Sequence, residues 1–299
     1  MTDTPAATPV GERVGIIAAG AGVVLWAIGP VIVKGTDVEG LAFAFHRSWL
    51  GALMFTAALW LTGGRLTMRA LWRSRWGIVA LTADLAFFFS AVKLTTVANS
   101  MVISALQPAI ILVLVGPLFG ERVQRAQVGW TLVSIIGVAL VAVGSAGEVG
   151  WNLDGDLLAV LAVLAWAGYF IASKDIRRDL GALEYQAALF VGCAVLLAPM
   201  AVVSGQDLTV DRASTAVAVV AMAALAGIGH VLINWAHPHV RLSITSLLTL
   251  GLPVVSALAA WAFIDEPLVA LQLAGIGVVI VALAMVITRT SSVEAPAST

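Results

Sequence analysis

Charge and cysteine are both scarce in this chain. Asp, Glu, Lys and Arg make up only 11% of the 299 residues, whereas a soluble domain carries about 25%. The single cysteine, Cys193, excludes an intrachain disulfide and a metal site built from several cysteines. With 61% hydrophobic residues and a mean hydropathy of +1.02, the composition predicts an integral membrane protein.

Several motifs of enzymes and binding proteins are also missing. The chain has no Gly-rich loop followed by Lys-Ser or Lys-Thr, so it does not hydrolyse ATP by that route. It has no His-Glu-x-x-His pair and no Asp-rich prenyl-diphosphate motif, so we expect no enzyme. No basic cluster with interleaved aromatics indicates nucleic acid. We expect no cofactor and no metal, because no acidic residue or cysteine accompanies the histidines.

Ten apolar runs are long enough for a membrane span, which needs roughly 20 residues. Five lie near 14–34, 41–62, 76–94, 98–119 and 126–146, and five near 156–173, 185–204, 214–236, 242–263 and 268–288. They lack the alternation of barrel strands, so the predicted fold is all-α with ten transmembrane helices. The first run has no clear cleavage site before Lys34, and we interpret it as a retained span.

The chain also contains an internal repeat. The segment PAIILVLVGPLFGE at 108–121 returns as PVVSALAAWAFIDE at 253–266. Trp26 and Lys34 are matched by Trp166 and Lys174. We therefore predict one repeat over 14–146 and a second over 147–289, with small polar tails at 1–13 and 290–299 that are disordered.

Basic residues predict the orientation in the membrane. Twelve of the sixteen Lys and Arg residues lie in the tails and connections on one side, which places both termini in the cytoplasm. Because each half has five spans, the two repeats cross the membrane in opposite directions. Such an inverted 5+5 repeat is typical of transporters, whose substrate site lies near the midplane between the halves.

Particular motifs resemble a known family. They are Phe43-Ala44-Phe45-His46-Arg47, the run from Ala98 to Pro108, Gly120-Glu121, and Pro253 with Asp265-Glu266. Over nearly its whole length the chain resembles the drug/metabolite transporter superfamily, in its ten-span form with two EamA domains, and within it the YddG-type exporters of aromatic amino acids. The resemblance implies export of aromatic and other neutral amino acids across the bacterial inner membrane, with the lipid bilayer as the other partner. Three questions stay open. The substrate could instead be organic cations or other metabolites, and transport could be proton-coupled or facilitated. The protein could be a monomer or an oligomer.

Charged residues inside spans are costly, by roughly 2.5 to 3.5 kcal/mol at the bilayer centre, and so need a reason. Asp84 lies in the third span and could receive a substrate ammonium or carry a proton. Arg47, next to His46 in the second span, could bind a substrate carboxylate. It could also snorkel or pair with Asp84. Together, Asp84 and Arg47 offer the two charges that an amino acid zwitterion requires.

Uncharged polar and aromatic residues complete the set of substrate-binding candidates. Asn99, Ser104 and Gln107 lie on one stripe of the fourth span, where they would bind substrate or join helices. His230 and Asn234 are one helical turn apart and are a hydrogen-bonded structural pair or part of a proton relay. Trp26 and Trp166, with Tyr169 and Phe88 nearby, could line a pocket for a flat side chain or pack the core.

Two prolines and two glutamates mark the ends of the repeated segment. Pro108 and Pro253 remove a backbone donor and so predict a kink, which could be static or a hinge for alternating access. Glu121 and Glu266 lie at span ends, where they would cap a helix or form ion pairs of a gate.

Overall fold

The computed structural model describes residues 9–34, 36–95, 97–146, 152–264 and 267–291. Within these ranges the chain is helical and contains no strand. Seven helical stretches of 18 to 24 residues in this described part are long and apolar enough to cross a membrane. The all-α membrane fold expected from the sequence is therefore confirmed.

The first half contains five helical segments, two of which are broken, and one short helix on the surface. Its helices are α1 (Pro9–Ala27), α2 (Gly29–Lys34), α3 (Gly40–Leu61), α4 (Met68–Arg73), α5 (Arg75–Leu94), α6 (Val97–Ser104), α7 (Gln107–Phe119) and α8 (Arg125–Ala146). The predicted first span is α1 with α2, and the predicted fourth span is α6 with α7. The sequence did not predict α4.

The second half repeats this order with one broken segment. Its helices are α9 (Leu153–Ile176), α10 (Ala182–Val203), α11 (Ala213–Ala236), α12 (Leu242–Leu248), α13 (Leu252–Ile264) and α14 (Ala270–Ser291), with a 3-10 turn at Thr249–Gly251 between α12 and α13. That turn lies where the gap between α6 and α7 lies in the first half.

The packing relates the two halves by an approximate two-fold axis. Helix α1 packs against α11, and its counterpart α9 packs against α5. Helix α3 packs against its own counterpart α10, and α8 packs against α14. A two-fold rotation that exchanges the two halves converts each of these helix pairs into another of them or into itself. The axis brings the centres of both halves together around the same core.

The two prolines occupy the same position in their halves. Pro108 is the second residue of α7 and Pro253 is the second residue of α13. At the start of a helix a proline costs no hydrogen bond, because that N–H has no partner within the helix. Each span is interrupted just before its proline, and a kink at this place stays a prediction. A hinge at this interruption stays a prediction.

Close contact between α3 and α10 depends on a glycine. A Cβ on Gly51 would lie 2.1 Å from the ring of Phe190, so only glycine fits without a shift of that ring. Phe190 and Phe55 pack together in a small core cluster between the two helices. This contact fixes α3 one turn away from Arg47, which lies in the centre of the bundle.

Candidate substrate-binding site

A cavity of about 140 Å³ lies between the two halves. Its walls come from α1, α2, α3, α5 and α6 of the first half, and from α9, α11, the 3-10 turn and α13 of the second. Most of the lining side chains are apolar. Seven of the substrate-binding candidates from the sequence line it: Trp26, Arg47, Asp84, Phe88, Ser104, Trp166 and His230.

Four other candidates lie elsewhere in the structure. His46 points away from the cavity, where its Nε2 lies 2.9 Å from the carbonyl oxygen of Leu208 and its Nδ1 accepts from Trp49. Gln107, Tyr169 and Asn234 are fully buried outside the cavity wall. The side chain of Asn99, a fifth candidate, lies outside the described residues.

Several lining residues were missed in the sequence. Thr249 and Ser256 interrupt the apolar run of the ninth span, and that polarity is a signal that could have found them. Ser256 donates a hydrogen bond of 2.6 Å to the carbonyl oxygen of Ala27, at the end of α1. Met222 and Ala226 give no such signal, because apolar residues in a span do not reveal which of them face a cavity.

The two symmetry-related tryptophans meet at the wall of the cavity. The rings of Trp26 and Trp166 lie edge to face with centroids 4.9 Å apart. Trp26 Nε1 donates to the carbonyl oxygen of Ala226 at 3.0 Å, which fixes its ring. The ring of His230 lies 4.7 Å from Trp26 and 5.9 Å from Trp166. The three rings form an aromatic wall beside the charged residues.

Arg47 and Asp84 share the cavity without forming an ion pair. No nitrogen of Arg47 lies within 4.0 Å of the Asp84 carboxylate, so the direct pairing considered from the sequence is absent. Arg47 is only 3% exposed, and its guanidinium lies over the rings of Phe89 and Phe190. Asp84 is 7% exposed and has no hydrogen-bond partner among the described residues.

A buried chain of hydrogen bonds leads from Arg47 away from the cavity, and its donors can be assigned. Arg47 Nη2 can only donate, so His230 Nε2 accepts at 3.1 Å. The Tyr169 hydroxyl donates to Asn234 Oδ1 at 3.1 Å and therefore accepts from His230 Nδ1 at 3.0 Å. Asn234 Nδ2 donates to Gln186 Oε1 at 3.1 Å. His230 is thus neutral, with its proton on Nδ1.

The end of the bundle that carries most of the arginines is closed by side chains that bind backbone groups. The Glu121 carboxylate accepts from the backbone N–H groups of Leu242 and Ser243 at 2.8 and 3.2 Å, and from the Ser243 hydroxyl at 2.8 Å. It therefore caps α12, a helix of the other half. The cap role considered for Glu121 agrees with this geometry, whereas Glu266 lies outside the described residues.

Two basic residues bind the C-terminal end of α11 at the same end of the bundle. Lys174 donates to the carbonyl oxygens of His237 and Val240, and Arg177 Nε donates to that of Asn234 at 2.8 Å. Burial, with the nearby charges of Lys174 and Arg177, lowers the pKa of His237 well below its ordinary value. We call Glu121, Lys174 and Arg177 the inner seal. The cavity lies nearer the other end, where Val33 and Val92 line it.

Helices that span a membrane, a two-fold arrangement of two halves and a cavity between them define a multi-pass membrane transporter. The chain belongs to the EamA-like transporter family, whose model matches residues 13–143 and again 153–288. The family match includes both halves of the two-fold arrangement, as the resemblance in the sequence predicted.

Individual relatives are more distant. The chain is 30% identical over 131 residues to the aromatic amino acid exporter YddG of Ancylobacter novellus, a match that covers 41% of this chain and 46% of that protein. It is 28% identical to the uncharacterized protein PA1977 of Pseudomonas aeruginosa, over 79% of this chain and 80% of that protein. A solved crystal structure with 21% identity matches 94% of this chain and 99% of its own with a TM-score of 0.80, which supports the fold alone.

Proposed function

We propose that this transporter exports aromatic and other neutral amino acids across the bacterial inner membrane, with both termini in the cytoplasm. One observation carries the proposal: a mostly apolar cavity holds one cation, Arg47, and one anion, Asp84, that are not paired with each other. An amino acid zwitterion needs one partner of each sign and an apolar surface for its side chain. The cavity offers all three.

The size of the cavity supports a compact apolar side chain. An apolar protein cavity of about 150 Å³ accommodates benzene, and the volume here is about 140 Å³. The rings of Trp26, Trp166 and Phe88 supply flat surfaces on which a phenyl group would pack. The printed name of the Ancylobacter relative points to the same class of substrate.

Alternating access would begin from the cytoplasmic side, where the inner seal has to open to admit substrate. In the conformation described here Glu121 holds α12 and Lys174 holds the end of α11, so this side is closed. The interruptions before Pro108 and Pro253 lie close to the cavity and to each other across the two-fold axis, and would let the segments bend. Substrate would then leave through the opposite end.

Export of organic cations is the second candidate. Asp84 lies in a cavity with two tryptophan rings, and such rings attract cations. This alternative gives Arg47 no ligand, because an organic cation has no carboxylate. Competition by an amine that lacks the carboxylate separates the two candidates.

Counterflow in proteoliposomes tests the proposal. Vesicles loaded with one unlabelled amino acid at a time receive labelled phenylalanine outside, with and without a pH gradient. We expect accumulation that depends on the loaded amino acid, and its response to the gradient distinguishes a proton-coupled exporter from a facilitator. Accumulation driven by organic cations and by no amino acid would contradict the proposal.

A further inference from the structure

The connection between α3 and α5 presents arginines and tryptophans on one surface. It contains Arg65, Arg69 and Arg73, Arg75 begins α5, and the sequence has no acidic residue between Glu39 and Asp84. Three tryptophans at this connection are largely exposed, at 72%, 70% and 65%: Trp60, Trp72 and Trp76. We call these three tryptophans, with Arg65, Met68, Arg69 and Arg75, the Arg-Trp surface.

Helix α4 holds the central part of this surface against the bundle. Its first turn is capped by Thr67, whose hydroxyl accepts from the backbone N–H of Ala70. Ala70 is buried and Leu71 packs against the main core, where α4 contacts α10. Met68, 78% exposed, and Trp72 consequently point outward. These apolar side chains are exposed because α4 docks on the bundle through Ala70 and Leu71.

Arg75 is positioned between two of the tryptophans. Its guanidinium lies 4.6 Å from the ring centroid of Trp72 and 5.5 Å from that of Trp76. Its Nη1 also donates to the backbone oxygen of Trp72 at 2.9 Å. A guanidinium has five N–H donors, so others stay available for a ligand.

Arg73 forms ion pairs, whereas the arginines of the Arg-Trp surface do not within the described part of the chain. Arg73 pairs with Asp179 at 2.6 Å and with Asp175 at 3.6 Å. Arg65, Arg69 and Arg75 have no carboxylate within 4.0 Å in the described part of the chain. Of these three unneutralised charges, Arg75 lies directly beside exposed indole rings.

We propose that the Arg-Trp surface binds the headgroup of an anionic phospholipid in the membrane leaflet that it faces. Indole rings favour the headgroup region of a bilayer, and a guanidinium matches the oxygens of a phosphodiester in a bidentate way. Arg69 and Arg75 contact the phosphate, while Met68, Trp72 and Trp76 lie against the glycerol and the first methylenes. A free phosphate ion would leave these exposed apolar side chains without a role.

Native mass spectrometry of the full chain, titrated with phosphatidylglycerol or phosphatidylcholine, tests this site. In Arg69→Gln/Arg75→Gln we expect the affinity for phosphatidylglycerol to fall at least about fivefold, since both side chains lose their charge-assisted hydrogen bonds to the phosphate. The matched control is Arg122→Gln/Arg125→Gln, which removes two exposed arginines from the same end of the bundle without touching a tryptophan. The control should bind within about twofold of the unmodified chain, because general surface charge alone changes little.

A lysine variant and a soluble competitor complete the test. Arg75→Lys keeps the charge but loses the planar group, and we expect it to weaken phosphatidylglycerol binding less than Arg75→Gln does. Equal binding of the two lipids, or an equal loss in the control variant, would overturn the proposal. Full competition by soluble glycerol phosphate would overturn it too, because the ligand would then be a free phosphate ester. Monodisperse elution of each variant checks that it is folded.

Discussion

At the scale of single residues, the chain of hydrogen bonds that begins at Arg47 assigns His230 a positioning role. Its Nε2 is occupied by the Arg47 guanidinium and its Nδ1 proton by Tyr169. In this conformation both ring nitrogens are hydrogen-bonded, so His230 holds the guanidinium of Arg47 at the cavity wall. A proton relay through His230 stays a prediction.

Tyr169→Phe tests this role. The substitution leaves His230 Nδ1 and Asn234 Oδ1 unpaired in a buried place, so we expect a loss of about 1 to 3 kcal/mol in stability. If Arg47 binds the substrate carboxylate, the half-saturation concentration for phenylalanine should rise by about tenfold, which corresponds to about 1.4 kcal/mol. Binding of phenethylamine, which has no carboxylate, should change little.

Tyr185→Phe is the matched control for that variant. Tyr185 is equally buried, but its hydroxyl bonds to Ser173 and not to Arg47, His230 or Asn234. It should lose stability without a selective loss of phenylalanine binding. If Tyr169→Phe and Tyr185→Phe weaken phenylalanine and phenethylamine alike, the positioning role is wrong.

Asp84→Asn tests the other charge of the cavity. The amide has nearly the same shape but no charge, and a hydrogen bond to a charged group contributes about 1.5 to 3 kcal/mol. We expect the apparent affinity for amino acids to fall at least about tenfold in counterflow assays. Unaltered transport from pH 5 to pH 8 would contradict both ammonium binding and proton carriage by Asp84.

The sequence revealed the charged residues of the site more readily than their partners. Asp84 and Arg47 stand out because charge is rare within spans. The neighbour His46 was grouped with Arg47, yet consecutive residues on a helix point about 100° apart, so only Arg47 faces the cavity. Tyr169 belongs to the same helix as Trp166 but lies behind His230. Its place depends on contacts between α9 and α11, which no local pattern contains.

At the scale of helices, the cap of α12 by Glu121 joins the two halves. The carboxylate satisfies the first N–H groups of a helix that has no cap of its own from Arg241. Glu121 lies in the connection just after α7, so the bond ties the end of one interrupted span to the start of the other. This contact would have to break whenever the inner seal opens.

Glu121→Ala should therefore open the inner seal more often. Loss of a helix cap costs about 0.5 to 2 kcal/mol, which should raise the accessibility of this end of the bundle. Ser246→Cys in a Cys193→Ser background reports it, because Ser246 lies in α12 and is fully buried. We expect faster labelling of this cysteine by a thiol reagent.

Asp154→Ala is the control for that experiment. Asp154 lies in the first turn of α9, is exposed, and belongs to the opposite end of the bundle. Its removal should leave the labelling of residue 246 unchanged. Equal labelling rates in the Glu121 variant and its parent would show that this bond does not limit opening.

The contact between α8 and α14 depends on Gly275 and not on the nearby Gly277. A Cβ on Gly275 would lie 2.6 Å from the backbone oxygen of Gly137, so the two helices would have to move apart. A Cβ on Gly277 would have no neighbouring atom within 4 Å. We expect Gly275→Ala to destabilise by about 1 to 3 kcal/mol, and Gly277→Ala to stabilise by up to about 1 kcal/mol. Thermal unfolding in detergent measures both, and equal midpoints would contradict the close contact.

At the scale of the whole molecule, the sequence predicted the spans and the repeat but not how the halves pack. Apolar runs follow directly from the lipid solvent, so the helices appear close to their expected positions. The pairing of α1 with α11 and of α5 with α9 joins distant parts of the chain, and no run of residues encodes it. The short helix α4 was missed because six residues are too few for a clear helical period.

The proposed topology predicts which loops face each side. In a Cys193→Ser background, Asp207→Cys lies between α10 and α11 and Thr62→Cys lies between α3 and α4. With cytoplasmic termini, an impermeant thiol reagent should label residue 207 in intact cells and residue 62 only after permeabilisation. The reverse pattern would overturn the orientation, although the fold would stand.

The central claim is that the cavity recognises both charges of an amino acid. Competition against labelled phenylalanine in counterflow tests it most directly, with phenylalanine, phenethylamine and phenylpropionate as competitors that carry both charges, the amine alone or the carboxylate alone. We predict that phenylalanine competes at least about tenfold better than either analogue, since each missing charge removes about 1.5 to 3 kcal/mol. Competition by phenethylamine as strong as that by phenylalanine would contradict the claim and favour an exporter of organic cations.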